Sequence, residues 1–202
     1  MHSRTAVVAA LALSTVALVA APARADSLGD MGLAVEGGLG VNSFTNAHAR
    51  DFIGPGASYT VRVLLGTHTT LGYELGYLGS VAGITALGLQ QGAVLYSNGA
   101  EAAVRYSPIP DSAVQPYALA GVAWRHYFIG RADFNSSVAN NSDNVLEVPL
   151  AVGLGYRTDS GFLVDARFAY RLAAGSDLLG GPGGGGPGLD NWNLGLKLGW
   201  AL

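Results

Sequence analysis

The residues best suited to chemistry are one histidine and several hydroxyl and carboxyl side chains near it. His126 lies near the end of one alternating segment, and Glu147 begins the next. Ser136, Ser137 and Ser142 lie between them, so the set contains the residue types of a hydrolytic triad at a lipid ester. No serine is close to His126 in sequence, and a histidine paired with a carboxylate is the commoner arrangement. We therefore predict no catalytic residues, and a lipid-modifying enzyme remains an alternative.

The sequence predicts no metal, cofactor or nucleic-acid site. His48 and His68 have no partners at the spacing of metal ligands. Asp133 and Asp143, with nearby asparagines, could supply oxygen ligands to calcium, but their spacing fits no known calcium loop. The glycine run 180–188 lacks the lysine and hydroxyl of a phosphate-binding loop, so we expect a flexible surface loop. The chain has no cysteine, and 11 basic residues against 14 acidic ones leave no cationic surplus for a nucleic acid.

The first 25 residues have the pattern of a secretory signal peptide. His2 and Arg4 precede the uncharged run Ala6–Ala21, and Ala23-Arg24-Ala25 supplies the small residues that signal peptidase recognises. A run of this length is short for a membrane-spanning helix, which needs about 20 residues. We therefore expect residues 1–25 to be cleaved near Ala25 and residues 26–202 to form the exported domain.

The exported part alternates between apolar and small or polar residues, which is the period of a β-strand. No segment of it approaches 18 consecutive apolar residues, so no transmembrane helix is predicted. The 30 glycines argue against a helical bundle, because each glycine inside a helix costs about 1 kcal/mol. Eight segments alternate: 33–42, 59–65, 70–77, 94–106, 117–127, 146–157, 162–172 and 192–202.

The connections between these segments alternate in length. Short turns are predicted at 66–69, 107–114 and 158–161, and longer loops at 42–55, 79–91, 129–144 and 174–190. This alternation around an even number of strands is typical of a bacterial outer-membrane barrel, with turns in the periplasm and loops outside. Lipid cannot satisfy a free strand edge, so such a sheet must close. The predicted fold is an all-β, eight-stranded, antiparallel up-and-down transmembrane barrel.

The charged residues of the strands share the face that is rich in glycine and alanine. Of the charged strand residues, only Arg125 falls on the apolar face, in a strand where Tyr117 and Tyr127 are predicted to face outward and Trp124 and His126 inward. A charge costs about 2–4 kcal/mol at mid-bilayer, so the apolar face is predicted to meet lipid. The opposite face is predicted to form a structural salt-bridge plug in the lumen, of Glu36, Arg62, Glu74, Glu101, Arg105, Glu147, Arg157, Asp165, Arg167, Arg171 and Lys197.

Aromatic residues on the apolar face concentrate near the ends of the strands. Two such belts match the headgroup layers of a bilayer, where amphipathic rings are favoured. They argue against a soluble lipocalin-like barrel with its apolar face turned inward. The predicted loop-side belt is Tyr59, Tyr77, Tyr96, Tyr127, Tyr170 and Trp192, and the turn-side belt is Tyr106, Tyr117, Tyr156, Phe162 and Trp200.

The leader, the eight segments and the stretch Gln115–Trp124 resemble the small OmpA/OmpX-like outer-membrane β-barrel family. In that family the last strand carries an assembly signal, and Asn193, Gly195, Leu198 and Trp200 match its spacing, with Ala201 and Leu202 following. The resemblance implies outer-membrane lipid and lipopolysaccharide as surroundings, and periplasmic chaperones and the barrel-assembly machinery as partners during biogenesis. No peptidoglycan-binding segment follows the last strand, so a cell-wall tether is not expected.

These observations favour a monomeric, non-enzymatic outer-membrane barrel that is structural or contacts its surroundings through four extracellular loops. An eight-stranded barrel has an interior just wide enough for side chains to fill it. A narrow passive pore, a lipid-modifying enzyme and, least favoured, a soluble periplasmic carrier remain as alternatives.

Overall fold

The computed structural model describes residues 31–131, 135–137, 139–179 and 188–202. Eight β-strands form one closed antiparallel barrel in which each strand pairs with its neighbours in sequence. The ring closes between the first and last strands, where the Leu202 amide also donates to the Leu33 carbonyl at 2.7 Å. Closure leaves no strand edge unpaired, as a sheet that spans a membrane requires. The predicted fold class is confirmed.

The strands differ in length, and those on one side of the barrel are longest. One short helix, α1, precedes the second strand. The elements are β1 (Leu33–Phe44), α1 (Ala47–Phe52), β2 (Ile53–Leu65), β3 (Leu71–Ile84), β4 (Val94–Tyr106), β5 (Val114–Gly130), β6 (Ser142–Arg157), β7 (Phe162–Ala174) and β8 (Asn191–Ala201).

Because the strands run alternately up and down, the seven connections fall at two ends. Residues 66–70, 107–113 and 158–161 lie at one end, which we call the turn end. The four longer connections lie at the other, the loop end. The strands extend further toward the loop end than predicted, because β3 continues to Ile84 and β5 to Gly130, while β6 begins at Ser142. The first predicted loop, 42–55, also contains α1 and the start of β2.

The outer surface of the barrel is apolar over the middle of the strands. Leu39 is 74% exposed and Leu196 is 65% exposed, and these two residues are lateral partners across the β1–β8 pair. Such exposure of a continuous apolar surface is unfavourable in water but expected where lipid covers it. Among the described residues, no helix is long and apolar enough to cross a membrane.

The prediction for the fifth strand was inverted. Tyr117, Arg125 and Tyr127 are buried in the lumen, whereas Trp124 and His126 lie on the outer surface. Tyr117 fits inside because its ring lies over Gly153, where an added Cβ would be 2.3 Å from the ring. The Arg105 guanidinium lies 3.7 Å from the centre of the same ring, a favourable cation–π contact. Tyr117 and Tyr127 therefore do not belong to the aromatic belts.

Several predictions fall on segments outside the described residues. These are the signal peptide at 1–25, the possible calcium ligand Asp133, and most of the glycine run 180–188.

Candidate functional site

The lumen is filled by a network of charged side chains centred on Glu74. The Glu74 carboxylate of β3 contacts the guanidinium groups of Arg62 at 3.2 Å, Arg167 at 2.6 Å and Arg105 at 3.5 Å. These groups come from four strands, so one carboxylate joins opposite walls of the barrel. Three cations around one buried carboxylate leave an excess of positive charge that other acids must balance.

Two further acids balance this centre toward β1 and β8. Glu36 forms an ion pair with Arg62, and the Asp165 carboxylate lies 2.8 Å from Arg62 and 3.0 Å from the Lys197 ammonium. Register explains the convergence, because Asp165 and Lys197 are lateral partners in adjacent strands, as are Glu36 and Arg62.

The network continues toward the loop end through Glu101 and Glu147. The Arg171 guanidinium lies 2.6 Å from Glu101 and 3.6 Å from Glu147, and Glu147 in turn lies 3.6 Å from Arg125. We call the whole set the luminal network. It contains six cations and five acids: Arg62, Arg105, Arg125, Arg167, Arg171 and Lys197 with Glu36, Glu74, Glu101, Glu147 and Asp165.

Two residues exchange places between the predicted and observed networks. Arg157 lies at the turn end, where its guanidinium is 3.4 Å from the Thr67 carbonyl and 3.3 Å from His68 Nε2. Arg125, predicted outside, instead donates to the hydroxyls of Ser80, at 3.0 Å, and Ser97. The other ten predicted residues line the lumen together. Arg125 could have been assigned correctly, because every other strand charge lies on the inner face.

Little space remains around the luminal network. A cavity of about 40 Å³ lies on its loop side, bordered by Arg125, Arg171 and Asn191, and one of about 20 Å³ lies near Arg105 on its turn side. Volumes of this size hold a few water molecules at most. The luminal network lies between these two cavities.

A second barrier closes the loop end, and the sequence did not predict it. Inward-facing apolar residues from strand ends pack there against residues of the loops and α1. We call this cluster the loop-end seal: Phe44, Ala49, Ile53, Ala82, Ile84, Ala93, Leu95, Tyr127, Ala139, Val145, Leu178, Leu179 and Leu189. All of these side chains are buried.

Hydrogen bonds between loops hold the seal in place. The Asp143 carboxylate accepts from the backbone amides of Asp177 at 2.7 Å and Leu178 at 2.9 Å. The Asn140 backbone amide donates to the Leu178 carbonyl at 2.8 Å, so the start of β6 and the residues just before it fix this part of the last loop. Asp143 therefore has a structural role in the described residues. Among the described residues, no group of three or more His, Cys, Asp or Glu side chains is placed to hold a metal ion.

His126 does not lie where the triad alternative would need it. Its Nδ1 is 3.1 Å from the Asn144 Oδ1, and its ring stacks on Phe128 at a centroid distance of 5.9 Å. Glu147 lies on the other side of the wall, where it accepts a hydrogen bond from the Tyr127 hydroxyl at 2.9 Å. Ser136 and Ser137 are bonded within the loops, and Ser142 pairs laterally with Phe128. The structure thus does not assemble the predicted triad candidates.

The remaining predicted residues lie as follows. His48 packs edge-on against Phe52 in α1. In β8, the Asn193 side chain donates to the Val41 carbonyl at 3.3 Å, and the other residues that match the assembly signal are Gly195, Leu198 and Trp200, of which Leu198 and Trp200 face outward. Of the predicted belt residues, those that face outward near strand ends are Tyr96, Tyr170 and Trp192 on the loop side and Tyr106, Tyr156, Phe162 and Trp200 on the turn side. Tyr59 and Tyr77 also face outward, but they lie near the middle of β2 and β3 and so do not belong to the loop-side belt.

Comparison with known proteins identifies a family and a common fold. The sequence model of the outer membrane protein beta-barrel domain matches residues 8–201. Neisserial surface protein A is 16% identical, with a TM-score of 0.59 over 83% of this chain and 96% of that one. OprG of Pseudomonas aeruginosa is 15% identical, with a TM-score of 0.58 over 85% and 95% of the two chains. The attachment invasion locus protein of Yersinia pestis is 11% identical, with a TM-score of 0.54 over 85% and 98%. A search of curated proteins found no match.

Proposed function

Since the chain belongs to the outer-membrane β-barrel domain family, we propose that it is a non-enzymatic surface protein whose barrel anchors four loops outside the cell. Residence in the outer membrane follows from the family, and the proposal concerns what the protein does there. In such a barrel, the parts that meet other molecules are the exposed loops and the outer wall.

The observation that carries the proposal is the double closure of the lumen. The luminal network fills the middle of the barrel, and the loop-end seal covers it. Separating a buried ion pair costs several kcal/mol, so the network resists opening by thermal motion. A narrow passive pore would need both barriers to move. A soluble carrier would need an apolar cavity. The described lumen is instead charged, and the outer surface of the barrel is apolar.

An enzymatic role is disfavoured by the surroundings of His126. An ester hydrolase of this kind needs a hydroxyl within hydrogen-bond reach of the imidazole. On the same face of β5, the residue two positions after His126 is Phe128, which has no hydroxyl group. The side chain that forms a hydrogen bond with the His126 imidazole is the amide of Asn144, which is not a nucleophile.

The proposal includes the topology and biogenesis of the chain. Residues 1–25 would direct export and be removed near Ala25, leaving the barrel domain at 26–202. The turn end would face the periplasm, and the loop end would face the medium. Chaperones and the assembly machinery would recognise the last strand through Asn193, Gly195, Leu198 and Trp200. With each edge paired within one chain, a monomer is sufficient.

Electrical recording tests the closed lumen. Purified protein in planar bilayers is expected to give no single-channel steps under conditions where a known porin conducts, because the ion pairs of the luminal network fill the middle of the barrel. Steady steps that change in size in Arg62→Ala or Arg167→Ala would show a pore instead and overturn this part of the proposal.

Single-cysteine labelling tests the topology. Because the sequence contains no cysteine, an introduced cysteine is the only thiol that can react. Leu87, in the second loop, is 98% exposed, and Ser160 is exposed in the turn between β6 and β7. In intact cells, a membrane-impermeant maleimide is expected to label Leu87→Cys and not Ser160→Cys, while both react after lysis. The reverse pattern would place the loops in the periplasm and refute a surface role for them.

A further inference from the structure

A row of lateral partners crosses the outer wall from β2 to β6. Register aligns Tyr59 with Gly79, Gly79 with Asn98, Asn98 with His126, and His126 with Asn144. By strand alternation these positions point away from the lumen. Polar side chains are unexpected on a wall that meets lipid, because each unsatisfied polar group there is costly.

The lower part of this row is satisfied within the protein. The Tyr59 hydroxyl donates to the Asn98 side-chain oxygen. The Tyr59 ring reaches across β3 only because Gly79 lies beneath it, where an added Cβ would be 2.4 Å from the ring. A second ring, Tyr77, packs beside Tyr59 at a centroid distance of 6.3 Å. Tyr59 thus provides the Asn98 side-chain oxygen with a hydrogen-bond donor inside the protein.

An aromatic platform lies beside the upper part of the row, on the loop side of it. Phe128 stacks on Tyr96 of the neighbouring strand at 5.3 Å and an interplanar angle of 17°. The His126 ring stacks on Phe128 at 5.9 Å and 23°. Since the Asn144 amide oxygen accepts, His126 Nδ1, at 3.1 Å, is the donor, and Nε2 of the neutral ring can accept a hydrogen bond from a hydroxyl outside the protein. We call Tyr96, Asn98, His126, Phe128 and Asn144 the outer-wall patch.

The height of the patch identifies the layer that it meets. Tyr59 is six residues from Leu65, the end of β2, which is about 15 Å at about 3.4 Å per residue and a strand tilt of about 40°. With strands about 4.8 Å apart at this tilt, a lateral row rises toward the loop end by about 3 Å per strand. His126, three strands along the row from Tyr59, therefore lies about 25 Å above the end of β2, and Asn144 about 28 Å. The apolar band of such a barrel is about 25 Å tall, so His126 and Asn144 lie at its upper edge, where the headgroups begin.

We propose that the outer-wall patch binds the phosphorylated sugar headgroup of an outer-leaflet glycolipid. Stacked rings offer apolar faces to the C–H surface of a sugar, the side-chain NH2 groups of Asn98 and Asn144 can donate to phosphate oxygens, and His126 Nε2 can accept from a sugar hydroxyl. The exposed Arg131 follows β5 directly and adds a cation at the same end of the wall. Phospholipid headgroups provide the phosphate without the rigid sugar rings, so the stacked rings give the patch its selectivity.

This inference goes beyond the proposed function, since it depends on residence in the outer membrane and not on what the loops contact. It also assigns a role to His126 that requires no nucleophile. The nearest acidic side chain in the strand sequence, Asp143, is held by the backbone amides of the last loop. Its negative charge is thereby partly neutralised by hydrogen bonds instead of facing a phosphate unpaired.

Trp124 provides a local reporter for this binding. It faces outward two residues before His126 and is 53% exposed. Replacing the other two tryptophans, in Trp192→Phe and Trp200→Phe, leaves Trp124 as the only source of indole fluorescence. In detergent micelles, monophosphoryl lipid A is expected to shift its emission saturably, and phosphatidylglycerol is expected to give at least tenfold weaker apparent affinity.

Three variants in this background decide the assignment. His126→Ala with Phe128→Leu is expected to weaken lipid A binding at least tenfold, and Asn144→Asp to do the same by placing a negative charge beside the phosphate. Asn144 is exposed, so the second variant tests the patch even if the first fails to fold. The control Tyr170→Leu, on the outer wall of β7, should leave binding unchanged.

Equal affinity for lipid A and phosphatidylglycerol would overturn the proposal, because the patch would then be an ordinary interfacial belt. Unchanged binding in both patch variants would overturn it as well. Neither result would affect the labelling of Leu87→Cys, so failure of this inference is distinguishable from failure of the proposed surface role.

Discussion

Replacing Glu74 by Gln will lower the free energy of unfolding by about 3–5 kcal/mol, the usual cost of removing one partner from a buried ion pair. The neutral amide leaves Arg62, Arg105 and Arg167 without the carboxylate that joins them. The luminal network then contains six cations and four acids, all away from bulk water. The measurement is equilibrium unfolding in urea of protein folded into lipid vesicles, followed by the mobility difference between folded and unfolded chains on a gel.

Leu75→Ala is the matched control, because this neighbour of Glu74 points outward and is 59% exposed. Lipid tails are about as apolar as leucine, so the loss of this side chain is expected to cost less than about 1 kcal/mol. If Glu74→Gln costs no more than Leu75→Ala, the guanidinium groups are stabilised by water and not by Glu74. The luminal network would then be too loosely held to close the barrel.

The barrel and the inward location of most charges follow from the sequence because lipid imposes a simple rule. Alternation with period two specifies strands, and the energetic cost of a charge in lipid specifies which face points inward. That rule placed Glu74, Arg62 and Asp165 together without knowledge of their distances. It also contained the information needed for β5, where Arg125 marks the inner face.

In β5 the aromatic residues and the charge lie on the same face, and the charge is the better guide to which face points inward. Tyr117 and Tyr127 are aromatic yet lie inside, since Gly153 leaves room for one ring and Glu147 accepts a hydrogen bond from the other. Such pairing across strands depends on register, which a single sequence does not reveal. The same inversion of β5 predicts His126 in the lumen, so the sequence alone does not indicate the outer-wall patch.

The loop-end seal could not be predicted because its residues are far apart in sequence. Phe44, Tyr127 and Leu178 come from β1, β5 and the last loop, and no periodic pattern connects them. Apolar residues such as Leu178 and Leu179 in a glycine-rich loop are nevertheless a signal, since a fully solvated loop gains nothing from them. They indicate that part of this loop packs against the barrel.

Introducing a charge at the centre of the outer wall should have the second large effect. Leu196 is the middle residue of β8, and its lateral neighbours, Leu39 and Ala166, also face outward. Leu196→Arg is expected to make folding into lipid vesicles less favourable by about 2–4 kcal/mol, which is the cost of arginine at the bilayer midplane. The same urea titration measures it. The adjacent Lys197 is tolerated because it points inward and pairs with Asp165 at 3.0 Å.

Position within the membrane, and not exposure, is expected to decide this cost. Leu71, the first residue of β3 at the turn end, is 54% exposed and so resembles Leu196 in surface area. Leu71→Arg should cost only about 0–1 kcal/mol, because a guanidinium near the interface reaches the headgroups. Equal costs at both positions would contradict a bilayer around the wall, since a barrel in water would tolerate both changes alike. A large difference places Leu196 at mid-membrane depth and, through register, fixes the depth of every strand, including the height assigned to His126.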